Sequence, residues 1–143
     1  MGTAIPHETV IELKERRNDI NLELSNLTAE KRDAVYEQAD ATSIKGHETE
    51  DVRQYFKALY EGDEDMQLQY KDFTYIPDFD REMDKITSEY NDNIAQLTVW
   101  EEDLGAQITT DSTELEEVNA YIESFDSILK NNISNDFNYG LNK

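Results

Sequence analysis

The stretch GAQITTDSTELEE, from Gly105 to Glu117, decides between two folds for the C-terminal half of the chain. Its glycine, threonines, serine and aspartate are weak helix formers, whereas the sequence on both sides is strongly helical. The stretch is either a turn that folds two helices into a hairpin or the weak centre of one long helix. In the first case 112–134 packs back on 78–108 as a compact three-helix fold.

Two properties of this stretch point in opposite directions. Gly105 costs about 1 kcal/mol relative to alanine in a helix, and Asp111 and Glu114 have the spacing of a capping box, so a helix could restart there. The apolar residues, however, keep one alternating four- and three-residue spacing through the stretch. They are Leu104, Ile108, Leu115 and Val118. This spacing favours a continuous helix, with Asp111 as a polar core residue that fixes register or partner number.

The same spacing extends over 78–135 and predicts one helix about 85 Å long. Its apolar stripe is interrupted only by Glu101 and Asp111, and Trp100 lies beside it. A stripe of this kind is the surface through which coiled coils associate. The expected interaction residues are Leu97, Trp100, Leu104, Ile108, Asp111, Leu115, Val118, Ile122, Phe125 and Leu129.

The rest of the chain supplies a shorter helix and a connector. Apolar residues predict helix one over 8–40, and a break is expected at Thr42, Ser43 and Gly46. Residues 41–77 form an aromatic-rich connector with a short helix, and 136–143 form a tail. The predicted fold is all-α, an elongated antiparallel helical or coiled-coil hairpin in a single domain, 1–143. The aromatic cluster between Tyr55 and Phe79 is either a packing centre, which we favour, or a partner anchor.

The charge distribution constrains the partners. The net charge is −20, which disfavours nucleic acid and anionic membranes, and no apolar run is long enough to span a bilayer. No lysine or arginine lies between Lys85 and Lys130, so a parallel homodimer of the long helix would oppose like charges. Helix one carries lysine and arginine residues, and it is therefore the better packing partner for the long helix. Because helix one is shorter, part of the stripe would need another copy or a partner with a basic surface, and an oligomer is expected.

No catalytic constellation is recognisable, and the expectation is a protein that is not an enzyme and has no cofactor. Cysteine is absent, and His7 and His47 stand apart in polar surroundings, so no metal site is expected. The acids of DFDREMD (residues 78–84) lack the central glycine and the spacing of an EF-hand loop. The acidic loop EGDED is more simply a solvated loop than a cation site. The N-terminus has neither the basic nor the apolar region of a secretory signal.

The segment ELEEVNAYIESFDSILKNNISNDFNYG, residues 114–140, resembles the ends of small helical virion structural proteins of tailed bacteriophages. Those proteins tend to carry a long helix with a run such as VNAYIESFDSILKNNI and then an aromatic tail such as NDFNYG. The resemblance covers roughly the last 60 residues and implies a non-catalytic component of a virion. It transfers no functional residues to this chain.

Two other functions stay open. Filament, needle or chaperone components of secretion systems are also small, acidic, cysteine-free and helical, which would place the protein in the cytoplasm or outside the cell. The long run without cations, 86–129, instead suits an acidic regulator that mimics nucleic acid and blocks a basic protein.

Overall fold

The described chain is helical apart from the connection between two long helices. The computed structural model describes the backbone of residues 4–141 and the side chains of residues 7–135. Its elements are α1 (Ala4–Glu61), α2 (Glu64–Gln69), a short 3-10 helix (Phe73–Tyr75) and α3 (Pro77–Leu141). The predicted all-α fold, with a long C-terminal helix and a long N-terminal helix packed against it, is confirmed.

The stretch GAQITTDSTELEE is continuous helix within α3. Its threonine hydroxyls donate to backbone carbonyls four residues earlier, with distances of 3.0 Å from Thr109 to Gly105, 3.1 Å from Thr110 to Ala106 and 3.0 Å from Thr113 to Thr109. These bonds satisfy the hydroxyls without opening the helix. The capping-box spacing of Asp111 and Glu114 therefore starts no new helix, and the turn alternative is wrong.

The predicted end of helix one at residue 40 is wrong, because α1 runs without interruption to Glu61. The connector is thus confined to 62–76 instead of 41–77. At the expected break, the Thr42 hydroxyl donates to the Gln38 carbonyl at 3.1 Å, and Gly46 has no positive φ. The proposed tail is also partly wrong, since 136–141 continues α3, while residues 142 and 143 lie outside the described part of the chain.

Inward-facing positions continue through the polar part of α1 with one change of spacing. Ala41 is buried, Lys45, Thr49 and Val52 are half-buried, and Phe56 is buried again. Inward positions otherwise alternate between steps of four and three residues. Here two four-residue steps, 41 to 45 and 45 to 49, follow each other directly. Such a change of spacing shifts the seam locally but does not end the helix.

The same irregularity occurs in α3, where the inward residues Ile86, Tyr90 and Ile94 are also separated by two four-residue steps. The two irregularities lie at the same level, because the Lys45 ammonium lies 4.5 Å from the centre of the Tyr90 ring. Matched steps in facing helices keep both stripes directed at each other. A count of apolar residues missed this, since Lys45 and Thr49 occupy inward positions in α1.

The chain divides into two compact units, of which unit 1 comprises 1–31 with 103–143. Within unit 1 the two helices run antiparallel. The core contains Ile20 of α1 with Val118 and Ile122 of α3, and half-buried leucines pack around them. These are Leu13, Leu24 and Leu115.

Unit 2, residues 32–102, is centred on an aromatic cluster. Phe56, Ile76 and Phe79 are buried together, and the Phe79 ring meets Phe56 and Phe73 edge-on at centroid distances of 5.7 and 5.6 Å. Edge-to-face contacts of this kind are the favoured geometry of aromatic pairs. The preferred interpretation of the aromatic-rich segment, a packing centre, is thus confirmed for these residues.

The connection between α1 and α3 is closed by side-chain hydrogen bonds. The Tyr60 hydroxyl donates to the carbonyls of Tyr70 and Lys71, at 3.1 and 3.0 Å. Asp63 caps α2 because its Oδ1 atom accepts hydrogen bonds from the backbone amides of Asp65 and Met66. Ile76 is extended as expected before Pro77, which opens α3 as the first helical residue.

We expect Gly105→Ala to stabilise the protein by about 1 kcal/mol, because alanine is the better helix former and a methyl group fits. A Cβ at Gly105 would meet the Lys31 ammonium at 3.6 Å, an ordinary contact. Urea unfolding followed by circular dichroism measures the change. The control is Gly62→Ala, where a Cβ would lie 3.3 Å from the Ala58 carbonyl oxygen. A loss of stability in Gly105→Ala would contradict a regular helix at this position.

Candidate functional site

The predicted interaction residues lie on the inward side of α3. Those that are buried are Leu104, Asp111, Val118 and Ile122. Those that are half-buried are Leu97, Trp100, Ile108, Leu115, Phe125 and Leu129. Val118, Ile122 and Leu115 contribute to the core of unit 1, where Ile20 of α1 covers them. These residues therefore make contacts inside the chain.

The expectation that a shorter helix one leaves part of the stripe uncovered depended on an end at residue 40, and that end is wrong. α1 has 58 residues and α3 has 65. In each unit, segments of α1 and α3 pack together, as at Ile20 with Val118 in unit 1 and at Phe56 with Phe79 in unit 2. In these two cores the seam is covered within the chain, and the exposed surface of the helix pair lies on its flanks.

Asp111 is an exception within the seam of unit 1. Asp111 is only 9% exposed, and it is a buried charged residue among otherwise hydrophobic buried positions of the described chain. Its Oδ2 atom has no hydrogen-bond partner. Burying a carboxylate oxygen without a hydrogen-bond donor lowers stability. Leucine or valine at position 111 would avoid this cost.

The neighbour of Asp111 on the facing helix is another acid, the exposed Glu23 of α1. The negative charge of Asp111 raises the pKa of Glu23, and the loss of hydration and a hydrogen bond to Asp111 act in the same direction. Arg16 lowers this pKa, while Glu114 raises it further. Two ionised carboxylates cannot donate to each other. When Glu23 is protonated, its carboxyl group can donate a hydrogen bond to the Asp111 carboxylate.

Arg16 and Glu114 form an ion pair on the exposed side of the same cluster. The Arg16 guanidinium donates to Glu114 Oε1 through Nε at 2.9 Å and also through its Nη2 atom. Both side chains are substantially exposed, and an exposed pair contributes little to stability. The positive charge of Arg16 lies close enough to Glu23 to offset part of the repulsion from Asp111.

Polar residues at inward positions of unit 2, in contrast, have favourable partners. The Gln38 amide donates to Glu101 Oε2 at 2.7 Å, which explains how Glu101 is accommodated on the stripe. The Lys45 ammonium lies over the Tyr90 ring at a distance that a cation–π interaction allows. The opposed carboxyl groups of Glu23 and Asp111 therefore differ from the polar contacts made in unit 2.

A groove runs along one flank of the helix pair in unit 2. Three adjoining cavities of about 210, 290 and 420 Å³ share Glu48, Asp51 and Glu82 among their linings and so form one continuous depression. We call it the acidic groove. It is lined by Ala41, Ile44, Lys45, Glu48, Asp51, Val52, Tyr55 and Phe56 of α1 and by Asp78, Glu82, Lys85, Ile86, Glu89, Tyr90 and Asn93 of α3.

Neither Glu23 nor the acidic groove was found from the sequence. Glu23 lies beside the apolar stripe of α1, and only the register between the helices shows that it faces Asp111. The groove depends on the pairing of residues 41–56 with α3, in a region that had been assigned to the connector. The exposed Ile44 and Tyr55 in that region were the available signal, since large apolar residues on a water-facing flank indicate a contact surface.

The chain matches no protein-family model, no curated protein and no solved structure. Within the described residues, no three histidine, aspartate or glutamate side chains come together in a way that could hold a metal ion. No helix in the described part of the chain has the length and apolar character needed to span a bilayer.

We expect Glu23→Gln to raise the melting temperature at pH 7, with a gain that shrinks as the pH falls towards about 4. Because the folded pKa of Glu23 is raised, the folded state binds the proton more tightly, and stability falls as pH rises from the ordinary glutamate pKa to the raised one. Above that window the full repulsion is present, and glutamine removes it. Thermal unfolding at a series of pH values measures the effect.

The control is Glu30→Gln, an exposed residue of α1 in the same unit that makes the same change in net charge. An equal gain in both variants would mean that relief of the overall negative charge, and not the contact with Asp111, is responsible.

We expect Asp111→Leu to stabilise the protein by about 1–3 kcal/mol at pH 7, because it replaces a buried charge that lacks a donor. Urea unfolding gives the free energy, and sedimentation velocity shows whether the variant adopts another oligomeric state, as expected if Asp111 fixes partner number. Glu116→Leu, at an exposed position of α3, is the matched control. A loss of stability in Asp111→Leu alone would show that the carboxylate has a favourable partner.

Proposed function

We propose that this protein is a non-catalytic structural or assembly protein that acts through helix–helix contacts, as a component of a bacteriophage virion. The observation that carries the proposal is the acidic groove of unit 2, where Ile44 and Tyr55 expose large apolar surfaces beside a helix pair. Single exposed apolar residues are common, but a pair flanking one groove is typical of a contact surface.

The resemblance of 114–140 to virion structural proteins supports the class of particle. Its partners would then be other particle proteins or further copies of the chain, and its location the virion. The high negative charge is compatible with a partner that presents a basic surface.

Sedimentation velocity of the purified chain over a wide concentration range, alone and mixed with proteins encoded beside it, tests this proposal. The expected result is a defined oligomer or a complex of fixed stoichiometry that co-sediments with particles. A chain that stays monomeric at every concentration and joins no such complex would contradict an assembly role.

A second candidate function is that of an acidic regulator that mimics nucleic acid. The observation that favours it is the exposed acidic side of α3, which includes Glu102, Asp103, Glu116, Glu117 and Glu123 in a region without lysine or arginine. Such a protein should bind a basic partner with an affinity that falls steeply with salt and that nucleic acid reverses by competition. Salt-insensitive binding would exclude it.

A further inference from the structure

The acidic groove has the dimensions of a site for one helix. Its α1 side extends from Ala41 to Phe56, about 22 Å at 1.5 Å per residue, or roughly four turns. The exposed residues that line it from α1 and α3 each come just before an inward-facing residue, as Ile44 does before Lys45 and Glu82 before Met83. The groove therefore follows one flank of the seam, where a third helix would complete a bundle.

The floor of the groove is apolar, and its α1 wall carries two large apolar side chains. Val52 and Ile86 lie between the two helices, and Ile44 and Tyr55 project beside them with 54% and 63% of their surfaces exposed. These two residues are eleven positions apart, close to three full turns, so they lie on nearly the same side of α1. An amphipathic helix could bury both at once.

At the level of the groove, along 41–57 of α1 and 79–95 of α3, the other flank of the helix pair has no such surface. The residues that follow the inward positions are polar or small, and all are exposed. They are Thr42, Gly46, Glu50, Arg53 and Lys57 on α1 and Asp80, Asp84, Thr87, Asn91 and Ala95 on α3. Because exposed large apolar residues occur on the groove side at this level and not on the opposite side, the asymmetry points to a contact surface.

The charges around the groove determine the chemistry of the occupant. Its lining carries five carboxylates and two ammonium groups. The carboxylates belong to Glu48, Asp51, Asp78, Glu82 and Glu89, and the ammonium groups to Lys45 and Lys85. An occupant with lysine or arginine beside its apolar stripe is attracted, whereas a second copy of a chain with a net charge of −20 is repelled.

We propose that the acidic groove binds an amphipathic helix of another protein, with apolar residues directed at Ile44, Val52 and Tyr55 and with lysine or arginine residues facing the carboxylates on both walls. The inference names the partner class for the assembly role and rests on that proposed function. Helix-in-groove recognition of this kind uses anchors three and four residues apart on the bound helix.

The probe is a fluorescent peptide of about six helical turns, with leucines at heptad positions a and d and lysine or arginine at the flanking positions. The matched peptide keeps the leucines and carries glutamate at the flanks. Fluorescence anisotropy with the full chain should show saturable binding of the basic peptide that weakens as salt rises from about 0.1 to 1 M, and no comparable binding of the acidic one.

Tyr55→Asp should weaken the binding of the basic peptide by about tenfold or more, because it places a charge where an apolar anchor docks. The control is Tyr36→Asp, since Tyr36 is equally exposed on α1 in the same unit but does not line the groove. Glu82→Lys should weaken binding and reduce its salt dependence, whereas Asp84→Lys, on the other flank, should change it less than twofold. Circular dichroism confirms that each variant is folded.

Three results would overturn the proposal: no saturable binding, equal binding of the acidic peptide, or equal losses in Tyr55→Asp and Tyr36→Asp. Self-association of the chain that Tyr55→Asp abolishes would also overturn it, since the groove would then hold a second copy. That last result would leave the assembly role intact, so failure of the groove is distinguishable from failure of the proposed function.

Discussion

The structure depends on one constraint: each long helix can bury only a single stripe of its surface against the other. Only 37% of the residues are hydrophobic, and polar residues occupy some of the inward positions. Inward polar residues must then find partners across the seam, because a buried polar group without a partner is costly. In unit 2 Gln38 meets Glu101 and Lys45 meets Tyr90. The helices are held in register by these contacts as well as by apolar packing.

Asp111 is an inward polar residue of unit 1 whose Oδ2 atom has no hydrogen-bond partner. A carboxylate that lacks a donor and faces Glu23 lowers the stability of unit 1 at neutral pH. A polar residue at a core position of a coiled coil can fix register at a cost in stability, and for Asp111 this remains a prediction.

Much of the fold was predictable because the spacing of apolar residues is a stronger signal for a helix than the helix propensity of single residues. The heptad phase on both sides of Thr109 to Thr113 correctly predicted a continuous helix, although the residues themselves favour a break. The same method failed at 42–46, because inward positions there are occupied by Lys45 and Thr49 and the spacing changes. Glu23 could not be predicted, since its contact with Asp111 depends on the register between helices. A single sequence contains the stripe of each helix but not the alignment of the two.

The acidic groove follows from the same irregular spacing. It begins at the level of Ala41, Lys45 and Tyr90, where the inward residues of both helices are separated by two four-residue steps. Within unit 2, the side chains just before the inward positions then line an open flank, and the carboxylates among them repel one another unless a cationic partner neutralises them. The net negative charge favours solubility of the free chain, and a basic helix would relieve the repulsion on binding. Charge and apolar surface therefore favour the same partner.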